Sequence, residues 1–233
     1  MTKDSLAYVI PPPPVPALPV LGANGLFPVT RIFCLGRNYA EHAREMGGNP
    51  DREPPFFFMK PANALLPEGQ DFPYPAQSEN VHYEFELVVA IGAGGADIPN
   101  DMALSHVFGY AAGLDMTRRD LQQQAAKISR PWEVGKAFDR SAPCSPVVPA
   151  SLIGHPGKGA IWLELNGKRV QASDLSALIR SVPEIIAELS RFFALTPGDL
   201  IFTGTPAGVG PVHRGDVLHG KIENVAELTV RVV

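Results

Sequence analysis

Glycine and proline, 22 and 24 of the 233 residues, interrupt every hydrophobic run of this chain. A proline inside a helix removes a backbone hydrogen bond and collides with the preceding turn, and a glycine there costs about 1 kcal/mol relative to alanine. Apolar segments must therefore be short strands or short helices. No window approaches the roughly 18 uninterrupted apolar residues of a membrane span, so a membrane is not an expected partner. The first residues, with "PPPPVPALPV" at 11–20, lack the continuous apolar stretch of a signal peptide. The only two cysteines, Cys34 and Cys144, make no disulfide framework. A cytoplasmic location is the expectation.

The formal charge of −4 carries no basic excess, and no Lys/Arg cluster with interleaved aromatics occurs, which argues against nucleic acid as a partner. Residues 1–25 read as a proline-rich arm whose 11–20 stretch is extended polyproline, and 26–233 as one domain. Regular structure is expected to begin at "VTRIFCLG". Asn38 and Glu41 then suggest an N-cap and capping box, with Gly47-Gly48 stopping a helix of about nine residues. Strand-like runs follow at 56–59, 83–91 and 108–114, then a polar helix over 117–127. Asn166-Gly167 between two alternating runs is a two-residue hairpin signal. Ser181 and Glu184 form a second capping box, with Ile185, Leu189 and Phe192 on the core face of its helix. Many strands with few helices predict an α+β chain dominated by a largely antiparallel sheet.

Three constellations could carry chemistry. In "HYEFELVV" the strand period places Glu84 and Glu86 on one face with His82, and Tyr83, Phe85 and Leu87 on the other. Two covered carboxylates need a compensating cation, and oxygen-only ligands suit Mg²⁺, Mn²⁺ or Ca²⁺ better than zinc. On these residues alone, the solvated face of a half-exposed strand is the preferred reading. In "GLDMTRRDLQQQ", Asp115 ends an apolar run, and Arg119 and Gln122 share a helix face three residues apart. Asp115 could instead cap that helix. In "NYAEHAREMGG", His42 and Glu45 also lie three apart, where the carboxylate could orient the imidazole as a general base or form a solvated ion pair. A helix of nine residues is too short to be stable alone, so it must be packed or act as a lid.

The motifs "GRNYAEHAREM", "FMKPANAL", "HYEFELVV", "GLDMTRRDLQ", "GKAFD" and "FTGTPAGVG" occur in the order and spacing of the fumarylacetoacetate hydrolase family. Over about residues 30–233 the chain resembles its small acylpyruvate and fumarylpyruvate hydrolases. The resemblance implies a mixed β-sandwich or β-roll, like the family's C-terminal domain, with a few short helices. It implies metal ligands at Glu84, Glu86 and Asp115, a catalytic dyad at His42 and Glu45, and a catalytic lysine at Lys136. Substrate-holding residues fall at Arg119, Gln122 and Thr205, and Arg37, with Arg44 and Lys60, is a candidate for a distal acidic group.

The implied reaction is divalent-metal-dependent hydrolysis of the C–C bond of a 2,4-dioxo acid, with fumarylpyruvate preferred. Mg²⁺ or Mn²⁺ is the implied cation, with Ca²⁺ also compatible, and a homodimer the implied assembly. Alternatives are other acylpyruvates, oxaloacetate decarboxylation, a dienedioate isomerase on the same scaffold, and a non-enzymatic module with a structural cation. The glycine-rich "GTPAGVG" is not a Walker loop, which argues against phosphate. The resemblance assigns His82 no role.

Overall fold

In a computed structural model of the chain, residues 8–45, 47 and 54–233 are described. An eight-stranded mixed sheet runs in the order Phe57–Pro61, Arg31–Leu35, Asp199–Phe202, Phe85–Ile91, Val107–Leu114, Ala142–Cys144 and Leu65–Pro67, with Val148–Pro149 paired beside Val107–Leu114. Two of its pairings are parallel, Asp199–Phe202 with Arg31–Leu35 and Ala142–Cys144 with Leu65–Pro67. Every residue of Phe85–Ile91 is buried, the pattern of a strand covered on both faces. Phe85, Leu87, Val89 and Ile91 enter the larger core, and Val88 and Ala90 the smaller one.

The larger core lies against a four-stranded antiparallel sheet, ordered Lys168–Asp174, Ala160–Leu165, Val217–Ile222 and Ala226–Arg231. Ile161, Leu163, Leu218, Leu228 and Val230 point into it. At the crossing, the Phe85 ring packs onto Gly220, where a Cβ would lie 2.4 Å from a ring carbon. The expected Asn166-Gly167 hairpin is present, with φ of 52° and 78° at its two residues. Both being positive is what a type I′ turn requires. The chain is thus strand-rich α+β with short helices, the longest α-helices among the described residues being nine residues long.

Local differences from the sequence reading have physical reasons. Regular structure begins before Val29, because Ala17–Pro19 pairs with Leu26–Pro28, and this hairpin lays Leu18 and Phe27 over the smaller core. Without it that face of the sheet would be open, whereas residues 11–15 stay exposed. Asn38 is not an N-cap. Its side-chain amide donates to Thr203 O at 2.9 Å and Arg180 O at 3.0 Å and accepts from Arg180 N at 2.8 Å, tying three segments together. Among the described residues the helix after it spans Ala40–Glu45; Gly47 has φ +77°, and Met46 and Gly48 lie outside the described residues.

The polar helix begins at Arg119, since Thr117 and Arg118 instead pair with Val81–Tyr83. The Ser181 N–H donates to Glu184 at 2.8 Å as the capping box requires. Ile185 and Leu189 are buried, but the helix ends at Ser190 and Phe192 is 70% exposed. Phe193 is partly exposed as well, at 37%, with its ring 5.2 Å from that of Phe33.

Candidate metal centre and active site

The strand reading of "HYEFELVV" is interrupted at one residue. Val81–Tyr83 and Phe85–Ile91 are separate strands, and Glu84 stands at the break. Its carbonyl accepts the Asp115 N–H at 2.8 Å, so the backbone joins the two acids directly. Glu84, Glu86 and Asp115 are all buried, and one carboxylate oxygen from each lies within 4.8 Å of the others. The separation of 29 positions between Glu86 and Asp115 (115 − 86) is closed by the antiparallel pairing of Glu86 with Gly113. The structure thus brings the three expected ligands together.

Three buried negative charges need compensation. Lys136, on the short helix Glu133–Lys136, sends Nζ to Glu84 at 2.9 Å, Asp115 at 2.6 Å and Thr117 Oγ1 at 2.7 Å. Burial works to lower its pKa, but Asp115 and Glu84 overcome that and hold the ammonium charged, with the net shift upward. Arg119 pairs with Glu84 and donates to Gln122 Oε1 at 2.6 Å. Burial opposes ionisation of Glu84, and Lys136 with Arg119 outweighs it, so its pKa falls.

Lys60 is completely buried, with Nζ ion-paired 2.8 Å from Asp115 Oδ1 and donating its hydrogen bonds to Met116 O, Lys136 O and Ser141 Oγ. The expectation of a distal role for Lys60 is corrected: it is an internal counter-charge behind Asp115. A lysine in the apolar strand "FFMKP" was the available signal, because a buried ammonium requires acceptors.

Two observations show that the centre fits a cation. Asp115 Oδ1 is buried and accepts no hydrogen bond, since Lys60 lies close but outside hydrogen-bond geometry. Glu86 has no ion-pair partner among the described residues, accepting only the Gly204 N–H at 2.7 Å. Burial, followed by repulsion from Asp115 and Glu84, raises its pKa well above the usual carboxylate range. Hard oxygen donors of this kind suit Mg²⁺, Mn²⁺ or Ca²⁺.

A pH dependence follows. Ligation needs the Glu86 carboxylate, which in the metal-free protein retains its proton above the ordinary glutamate range. Binding therefore releases that proton, and Mn²⁺ affinity should rise with pH until the raised pKa is passed. Because the folded value is raised, the metal-free fold should lose stability as pH climbs from the ordinary value towards the raised one. Calorimetric Mn²⁺ titrations in buffers of different ionisation enthalpy measure the released proton. Affinity that is flat with pH and releases no proton would contradict it.

A cavity of about 290 Å³ opens beside this centre, lined by Arg37, His42, Phe56, Phe58, Glu84, Arg119, Gln122, Gln123, Lys127, Trp132, Lys136 and Thr205 among others. His42 is 5% exposed, with Nδ1 3.0 Å from Glu45 Oε2. With the Glu45 carboxylate as acceptor, Nδ1 carries the proton and Nε2 is the unprotonated ring nitrogen. Glu45 also accepts the Gly208 N–H at 3.3 Å. Gly208 has φ +96°, and a Cβ there would lie 2.2 Å from Val170 O, so only glycine brings that N–H to the dyad. Arg37 also has a left-handed backbone, φ 56°. Arg44 does not line the cavity.

The sequence reading missed the aromatic wall, in which the rings of Phe56 and Trp132 meet edge to face at 5.3 Å. It also missed Lys127, Thr117 and a buried glutamine, Gln171, which hydrogen-bonds Thr205 at 2.9 Å. His82 is half-buried, and its Nδ1 accepts from Arg119 Nε at 3.4 Å while Nε2 lies 3.0 Å from Asn80 Oδ1. Burial and the neighbouring Arg119 lower its pKa to about 4, so it stays neutral. Among the described residues no helix is long and apolar enough to cross a membrane.

Residues 31–233 match the family model described as fumarylacetoacetate (FAA) hydrolase C-terminal. A crystal structure of fumarylpyruvate hydrolase from Pseudomonas aeruginosa in complex with Mn²⁺ and pyruvate superposes with a TM-score of 0.95 at 55% identity, covering 97% of this chain and 99% of that one. Fumarylpyruvate hydrolase from a Ralstonia species is 47% identical over 180 residues, 77% of this chain and 93% of its own. Human mitochondrial oxaloacetate tautomerase is 42% identical over 201 residues, 86% of this chain and 90% of its own.

Proposed function

Since the chain belongs to the fumarylacetoacetate hydrolase family, we propose that it is a divalent-metal-dependent hydrolase of 2,4-dioxo acids, converting fumarylpyruvate to fumarate and pyruvate. The observation that carries this reading is the meeting, around one cavity, of a buried three-carboxylate centre, the His42–Glu45 dyad and the Lys136 ammonium. The relative in complex with Mn²⁺ and pyruvate supports both the cation and the product.

Glu84, Glu86 and Asp115 would hold Mg²⁺ or Mn²⁺, which supplies polarisation of the 2-oxo group and absorbs negative charge. His42 Nε2 takes a proton from water as the oxygen attacks the distal carbonyl carbon, and Glu45 stabilises the imidazolium at Nδ1. The C–C bond then breaks with its electron pair passing to the pyruvate side, where the Lys136 ammonium neutralises the developing enolate. That carbon regains a proton to give pyruvate, and the former water oxygen leaves in the fumarate carboxylate.

Arg119 and Gln122, already bonded to each other, present their remaining polar groups to the substrate carboxylate, with Thr205 beside them. Arg37 faces the acidic end of the acyl tail, whose planar bridge lies along Phe56 and Trp132. Cys34 and Cys144, both free and buried, fit a reducing cytoplasm. Exposed Leu21, Leu26 and Leu152 offer apolar area for a homodimer.

The resemblance to oxaloacetate tautomerase favours one second reading, keto–enol exchange of oxaloacetate at the same centre, which needs no attacking water. Fumarylpyruvate, acylpyruvates with uncharged tails and oxaloacetate should be compared with Mn²⁺ and with chelator, following enol absorbance and identifying products. The expected result is Mn²⁺-dependent release of fumarate and pyruvate, fastest for the dicarboxylic substrate. Full hydrolysis in chelator would remove the carboxylate centre from the reaction. Loss of oxaloacetate enol with no acylpyruvate cleavage would select the second reading.

A further inference from the structure

Phe85 lies between Glu84 and Glu86, so its N–H belongs to the peptide that follows the first acid and its carbonyl to the peptide that precedes the second. On the side away from Val107–Leu114, side chains occupy both groups. Phe85 N donates to Gln171 Oε1 at 3.1 Å, Gln171 Nε2 donates to Thr205 Oγ1 at 2.9 Å, and Thr205 Oγ1 donates to Phe85 O at 3.0 Å. The three residues close a ring. Gln171 gives its second amide hydrogen to Pro206 O at 2.8 Å. It is 1% exposed and comes from the second sheet, on the strand Lys168–Asp174 opposite Leu163.

Resting on the proposed metal-dependent hydrolase, we infer that Gln171 is a positioning residue for both the metal-binding pair and the Thr205-Pro206 segment that lines the cavity. The two peptide planes joining Glu84 to Glu86 set the directions in which their carboxylates leave the strand. Backbone pairing alone does not hold them here. Asp199–Phe202 pairs with the neighbouring strand only as far as Val88, and the chain beyond it continues through Thr203 N to Leu87 O. At Phe85 the next ladder donor is replaced by a hydroxyl, and that hydroxyl is aimed by Gln171.

A glutamine amide supplies one acceptor and two donors in one plane, and all three are used. An apolar side chain of the same volume could fill the space but would leave Phe85 N–H and Pro206 O without partners in a dry environment. The ring also commits the one proton of the Thr205 hydroxyl to Phe85 O. Thr205 therefore meets substrate as an acceptor or through its backbone, and Gln171 decides which face of that residue is offered.

The test compares Mn²⁺ binding to metal-stripped wild type, Gln171→Met, Thr205→Val and the double variant, by calorimetry, with melting temperature and kcat and KM measured alongside. Residues that orient metal ligands typically change metal affinity by about 10–100-fold. Each single variant should weaken Mn²⁺ binding by about tenfold or more and raise KM. The double variant should be no worse than the weaker-binding single, because one break opens the whole ring.

A lower melting temperature with Mn²⁺ affinity and KM within twofold of wild type would assign Gln171 a packing role and overturn the inference. Should Gln171→Met not fold, Thr205→Val reads the same ring from a residue that is not a metal ligand, and unchanged Mn²⁺ affinity there overturns it equally. Wild type that binds no Mn²⁺ is a different result, which rejects the metal-dependent function itself.

Discussion

Asp115→Asn should abolish Mn²⁺ binding in the working range and lower kcat/KM by about a thousandfold, the upper scale for losing one preorganised electrostatic element of an active site. The carboxylate has two tasks that an amide cannot share. It offers Oδ1, buried and accepting no hydrogen bond, to a cation, and it neutralises Lys136 at 2.6 Å and Lys60 at 2.8 Å. In the variant, Lys60 would keep only neutral acceptors, at Met116 O, Lys136 O and Ser141 Oγ, inside a fully buried site. Breaking a buried pair in this way costs about 3–5 kcal/mol. The melting temperature should therefore fall even without metal, and added Mn²⁺ should not restore it. Wild-type Mn²⁺ affinity in Asp115→Asn would show that the cation site lies elsewhere.

The legible and illegible parts of this site differ in how far their cause extends along the chain. Strand periodicity placed Glu84 and Glu86 on the face opposite Tyr83, Phe85 and Leu87, and the larger core indeed takes the latter three. The Asn166-Gly167 turn and the Ser181/Glu184 box are local chemistry and were equally readable. Asn38 was misread because its best hydrogen bonds go to residues 142 and 165 positions away, which no local rule weighs. Lys60 was seen but put in the wrong place, since only the folded sheet turns its ammonium behind Asp115. Gln171 was invisible because a polar residue in an alternating strand reads as outward-facing until its partner sheet is known. Spacing alone did not join Asp115 to the two glutamates either; that inference came from the resemblance, and the Glu86–Gly113 pairing supplies its geometric cause.

Glu45→Gln should slow C–C cleavage by about 100- to 10,000-fold while leaving Mn²⁺ affinity unchanged. The substitution is close to isosteric, and a glutamine carbonyl can still accept the Gly208 N–H that the carboxylate now takes at 3.3 Å. The Ala40–Glu45 helix should therefore stay in place. That matters because six residues cannot hold a helix by their own hydrogen bonds; Asn38 at one end and the Glu45–Gly208 contact at the other pin it. What the variant removes is negative charge beside His42 Nδ1, and with it the stabilisation of the imidazolium that forms when Nε2 takes a proton from water. The loss should fall on kcat and leave KM near its wild-type value, because neither Glu45 nor Nδ1 contacts the bound acid in the proposed arrangement. Adding His42→Ala should cost little more, since the two residues work as one base. Oxaloacetate keto–enol exchange needs no hydrolytic water, so a variant that loses cleavage but keeps that exchange would separate the two chemistries within one site. Cleavage retained at the wild-type rate would remove the dyad from water activation and leave Lys136 as the remaining ionisable side chain of the cavity that contacts the metal-binding carboxylates and can exchange a proton.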